Sequence, residues 1–103
     1  MQKKRDSNQS EIVSLFRQMG ISVVDVTQGA SVGFDCIISA RGNTATIEIK
    51  SGPKKRLTPL EAEHSKAWPG KHAIVWDNAS AVTVGMRLLS GERFSLAWRR
   101  NGW

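Results

Sequence analysis

Gly33-Phe34-Asp35-Cys36-Ile37-Ile38 and Ile47-Glu48-Ile49-Lys50 decide how this chain folds. Both stretches are rich in β-branched and apolar residues, and the intervening Arg41-Gly42-Asn43 reads as a tight turn. The pattern predicts strands over Phe34 to Ala40 and Thr44 to Lys50, joined as a hairpin. Side chains on a strand alternate between faces. Glu48 and Lys50 therefore share one face, and Ile47 and Ile49 share the other.

Working outward, Ile21 to Val26 predicts an earlier strand, followed by a flexible turn over Gln28 to Gly33. Before it, Ile12, Leu15, Phe16 and Met19 recur at helical spacing, and Gly20 supplies a stop. A helix is expected from about 7 to 19, with Asp6 or Ser7 as its cap. Downstream, Ser51 to Leu57 is a basic loop. Thr58-Pro59 then opens a helix that ends near Trp68, because Pro69-Gly70 follows. His72 to Trp76 reads as a strand and Ala79 to Leu89 as a last helix, weakened by Gly85. The order α-β-β-β-α-β-α implies an α/β domain with a mixed sheet flanked by helices.

The chain has 103 residues, which suits one domain: a basic arm over 1–6, a core over 7–90 and a tail over 91–103. The longest apolar run, Ala73-Ile74-Val75-Trp76, is four residues, against about 20 for a membrane-spanning helix. A single cysteine, Cys36, rules out a disulfide framework within one chain and suits a reducing, cytoplasmic setting. The formal charge is +6, and its basic residues cluster at Lys3-Lys4-Arg5, Lys54-Lys55-Arg56 and Arg99-Arg100. Clusters of this kind point to polyanions such as nucleic acid.

The hairpin brings chemistry as well as shape. Glu-x-Lys on a strand is commonly an ordinary surface ion pair. Here Asp35 lies near the start of the partner strand: pairing through the turn draws Asp35 toward Glu48, whereas another strand register separates them. Two close carboxylates repel unless something neutralises them, and a hard divalent cation with oxygen ligands does so. The Ile49 carbonyl is placed to add a neutral ligand. Lys50, beside Glu48, can orient or deprotonate a water, or stabilise charge on a phosphate.

Gly33-Phe34-Asp35, thirteen positions before Glu48-Ile49-Lys50, resembles the PD-(D/E)XK nuclease motif. Gln9-Ser10-Glu11 matches the acidic position on the first helix of that superfamily, and Leu57-Thr58-Pro59 and Ala73-Ile74-Val75-Trp76 stand where its later motifs fall. The stretch from Asn8 to about Asp77 is similar to the VRR-NUC branch and its small phage-type endonucleases. The resemblance implies a restriction-endonuclease-like core that hydrolyses phosphodiester bonds with Mg2+, or Mn2+ in its place. Asp35 and Glu48 would be direct metal ligands with the Ile49 carbonyl, Glu11 would complete the acidic cluster, and Lys50 would be the catalytic lysine. It further implies DNA as partner, four-way (Holliday) junctions among the substrates, a homodimer, and a bacterial or phage-infected cell. Two departures stand out. Phe34 replaces the proline of the family pattern, and Leu60-Glu61-Ala62-Glu63-His64 lacks the glutamine often found on that helix. Its role is lost, or passes to Glu61, Glu63 or His64.

Other residues have plainer readings. Glu11 also suits a first helical turn through the helix dipole alone. His64 reads as a solvated histidine, His72 as structural, and Cys36 as a buried thiol. Lys54, Lys55 and Arg56 leave the catalytic strand directly and suit DNA phosphates. Lys3, Lys4 and Arg5 read equally as a DNA-embracing arm or a solvated terminus. Trp68 and Trp76 read as core or interface residues. Trp98 and Trp103 flank Arg99-Arg100 and suit either base stacking or a dimer contact. A competing reading, needing only the charge and the aromatic tail, is a non-catalytic nucleic-acid-binding module or a subunit active only in a complex.

Overall fold

The computed structural model describes residues 8–26 and 32–91. The order is α1 (Gln9–Gln18), β1 (Ser22–Asp25), β2 (Cys36–Ala40), β3 (Asn43–Ile49), α2 (Pro59–Ala67), β4 (Lys71–Val75) and α3 (Asn78–Ser90). This is the α-β-β-β-α-β-α order expected from the sequence. The four strands form one sheet in the order β1-β2-β3-β4. β1, β2 and β3 run antiparallel in succession, and β4 returns parallel to β3 by way of α2.

The hairpin register follows from its turn. Ala40 pairs with Asn43, leaving a two-residue connection of Arg41 and Gly42. Both have positive φ, 53° and 81°, as a turn that matches the twist of its strands requires. Arg41 occupies this conformation without being glycine, and its guanidinium donates to the Leu89 carbonyl at 3.2 Å.

Alternation along β3 divides the molecule into layers. Ala45, Ile47 and Ile49 face α1 and α3 and are buried with Ile12, Phe16, Ile38, Val84 and Leu88 in one apolar cluster. Thr46, Glu48 and Lys50 face the other way, toward α2. Gly85, which weakened the sequence case for α3, is explained by packing. A Cβ there would lie 2.7 Å from Met19 Cε and 3.1 Å from Ile21 Cδ1, so the missing side chain lets α3 approach.

The helix ends show how local sequence sets boundaries. Thr58 caps α2 through a bond from the Glu61 amide, while Glu61 accepts from the Thr58 amide, a reciprocal box with Pro59 in the first turn. Asp77 and Ser80 build the same device on α3. α1 differs from expectation: it starts at Gln9 with Asn8 in the cap position, and Asn8 makes no side-chain cap bond. Its amide instead donates to the carbonyls of Lys50 at 2.9 Å and Trp76 at 2.8 Å, clasping the ends of the parallel pair β3–β4. Asp6, Ser7, the basic arm and the alternation of Phe94, Leu96 and Trp98 lie outside the described residues.

Candidate active site

Asp35 and Glu48 come together because β2 and β3 pair in the register that the turn dictates. The Asp35 amide donates to the Ile47 carbonyl at 2.8 Å, extending the ladder by one residue beyond Cys36. The Asp35 carboxylate then accepts from the Ile49 amide at 2.8 Å. Both acids are 1% exposed. The amide and carbonyl of one extended residue point to the same side of its strand. The Ile49 carbonyl is therefore directed to the side on which Asp35 lies.

Lys50 sits on the same face as Glu48. Its ammonium lies 3.8 Å from Glu48 Oε2 and 2.5 Å from Glu61 Oε1. Glu61 Oε1 also accepts from the Thr58 amide at 2.8 Å. One carboxylate therefore caps the start of a helix, anchors that helix to the sheet and fixes the lysine.

The two glutamates experience opposite electrostatics. Burial raises the Glu48 pKa, and the adjacent Asp35 and Glu61 carboxylates raise it further, up to about 10. Burial also acts to raise Glu61, but the hydrogen bonds from Lys50 and the Thr58 amide prevail and bring it down to about 2. In the metal-free chain Glu48 thus holds a proton near neutral pH. Its buried Oε1 has no hydrogen-bond partner. The Cys36 thiol is pushed up by burial first and by Asp35 next, so it stays protonated and is no nucleophile.

Glu11 takes a different position from the one expected. It is exposed on α1 and its carboxylate accepts from Asn78 Nδ2 at 2.9 Å, at the start of α3. Among the described residues no group of three or more His, Cys, Asp or Glu is arranged to hold a metal ion. The polar residue of α1 that turns inward is Gln9, 1% exposed, whose side-chain amide lies 3.4 Å from Asp25 Oδ1. Of the three candidates for the missing glutamine's place, Glu61 is the one that meets Lys50; Glu63 is exposed.

His64 is not the solvated residue that its helix suggested. Its Nε2 lies 3.0 Å from Thr46 Oγ1, which also lies 2.7 Å from Nδ1 of the buried His72. Only part of this is signalled locally: Thr46 shares the Glu48 face by alternation, and Glu61 and His64 are three apart on a helix, hence neighbours, but neither pattern pairs His64 with Thr46. Lys54, Lys55 and Arg56 are all exposed on the loop joining β3 to α2. Lys3, Lys4 and Arg5 lie outside the described residues. None of the described helices is long and apolar enough to cross a membrane.

No protein-family model matches the chain, and comparison with curated proteins and with solved structures likewise finds no match.

Proposed function

We propose that this chain is a metal-dependent DNA endonuclease built on a restriction-endonuclease-like core. The observation that carries the reading is the buried pair Asp35 and Glu48 on adjacent strands, with Lys50 on the face of Glu48. Two buried carboxyl groups side by side fit a cation, which would offset their mutual repulsion. The donor set is all oxygen, as magnesium and manganese prefer. Asp35, Glu48 and the Ile49 carbonyl would hold the ion. When bound, it supplies a water of lowered pKa and charge stabilisation at the phosphoryl group.

The chain's own residues divide the remaining work. The Ile49 amide fixes the orientation of Asp35. Glu48, protonated in the metal-free chain, would ligate the ion as a carboxylate, its proton passing to solvent. Lys50, held by Glu61, presents an ammonium to the attacking water and to the charge that builds on phosphate. Lys54, Lys55 and Arg56 contact the flanking phosphates, which positions DNA without reading its sequence. Glu11 lies outside this cluster, in a groove it shares with Ser51, Trp76 and Asn78, and has no part in holding the ion in this reading. A second copy would set two such sites on opposing strands, as cutting a branched junction requires.

The test is cleavage. Plasmid, single-stranded and four-way-junction DNA are incubated with the purified chain and Mg2+ or Mn2+. Cleavage is expected, faster on the junction, and Glu48→Ala or Lys50→Ala lowers it by about 100-fold or more. Intact DNA in all three cases overturns the reading.

A further inference from the structure

The sheet-facing side of α2 carries a second feature next to Glu61. The segment Val32-Gly33-Phe34 lies hard against the helix. A Cβ on Gly33 would sit 2.3 Å from His64 Cβ and 2.7 Å from the Leu60 carbonyl oxygen, so only glycine allows this approach. Between segment and helix runs a groove of about 370 Å³, lined by Val32, Phe34, Leu60, His64 and Trp68 with the carboxylate-bearing Glu63 among them. That is the lower end of the size range for small-ligand pockets.

The lining is aromatic and held in place. The Phe34 and His64 rings are 4.7 Å apart, and Trp68 stacks on His64 at 5.0 Å with 28° between the planes. His64 is tied by its bond to Thr46, so the stack has a fixed base. Trp68 and Leu60 remain 39% and 44% exposed. Trp68, which the sequence placed in a core or an interface, instead edges this groove.

We infer that the groove receives an unpaired nucleobase of the strand being cut, stacked against Trp68 and Phe34. The inference rests on the endonuclease reading and adds a substrate class to it. Three observations identify a nucleobase as the occupant. One wall ends in Phe34, the residue before Asp35, and the other carries Leu60, the residue before Glu61, so both walls continue along the chain into residues of the candidate site. The loop entering α2 presents Lys54, Lys55 and Arg56 to solvent, which suits an occupant attached to phosphates. The walls offer ring faces, and every base has a π face to match them. Within a duplex those faces are covered by neighbouring bases. A narrow groove therefore admits a base only from a single strand, a gap or a branch point.

The full chain is tested in EDTA, where no cleavage occurs. Fluorescence anisotropy compares a labelled oligothymidylate with an abasic strand of the same length, which keeps the phosphates and lacks the bases. The expected result is about tenfold tighter binding of the strand with bases. Trp68→Ala removes that preference and Trp68→Phe keeps most of it. Equal binding of both strands by the unaltered chain overturns the proposal, whatever the folding of the variants. A base preference that survives Trp68→Ala also overturns it. So does a Trp68→Ala chain that loses only self-association, since the groove then seats a second copy. Failure of the endonuclease reading looks different: no DNA is cut in Mn2+, while the base preference and its loss in Trp68→Ala both hold.

Discussion

β3 sends Ala45, Ile47 and Ile49 to one side of the sheet and Thr46, Glu48 and Lys50 to the other. Toward α1 and α3 the buried residues are mainly apolar, with the polar Gln9 and Ser80 at the helix starts as exceptions. Toward α2 they include Glu48, Glu61 and His72, which are costly to bury unless they are paired or hydrogen-bonded. The contrast separates two jobs that share one strand. The α1–α3 side is an apolar core, and the α2 side buries a polar cluster at some cost in stability.

The comparison can be broken by substitutions on either side. Phe16→Ala removes a fully buried ring from the apolar face, at an expected cost of about 3–5 kcal/mol in urea unfolding. A loss below about 1 kcal/mol would mean that the α1–α3 side is not the main store of stability. Gly33→Ala acts on the other side. The new Cβ collides with the Leu60 backbone, so α2 must shift, at roughly 1–3 kcal/mol. Here the expected signature is lost cleavage in a chain that stays folded, because α2 carries the carboxylate that fixes Lys50. Unchanged cleavage would show that the placement of α2 is irrelevant to the site.

The glutamates sharpen the contrast through pH. Glu48 has a folded pKa of about 10 against an ordinary 4.5, so the folded chain binds more protons than the unfolded one between those values. Its contribution to stability falls as pH rises through that window. Glu48→Gln is therefore expected to raise the melting temperature of the metal-free protein, by an amount that grows from pH 5 to pH 9. Glu61 lies the other way, at about 2, so its contribution is present above pH 4.5 and fades as pH falls toward 2. Glu61→Gln is expected to lower the melting temperature at pH 7 by a difference that shrinks in acid. Thermal melts across pH check both, and two differences flat with pH would remove the electrostatic contrast.

Most of the fold was legible because its signals are local. The Arg41-Gly42 turn, the alternation in β3 and the Thr58-Pro59 start of α2 each act within a few residues. The nearness of Asp35 and Glu48 was legible only in part: the sequence reads Arg41-Gly42-Asn43 as the turn, whereas Ala40 pairs with Asn43 across two residues, and that register sets Cys36 opposite Ile47. What stayed hidden depends on how α2 and α1 dock. The helix spacing places Glu61 and His64 on one side without naming the strand residues they meet. Thus Glu61 could not be chosen over Glu63, and His64 read as solvated rather than bonded to Thr46. Glu11 illustrates the same limit on α1. Its neighbour Asn78 is 67 positions away, and no local pattern announces that contact.

The central claim is that the α2 side of β3 is arranged around a divalent cation, and calorimetric titration with Mn2+ tests it most directly. The account predicts a site in the unaltered chain that disappears in Asp35→Asn. Because Glu48 is protonated near neutral pH, binding should release a proton and tighten as pH rises. The measured heat should then vary with the ionisation enthalpy of the buffer. Absence of binding to the unaltered chain, or equal binding to Asp35→Asn, would contradict the account.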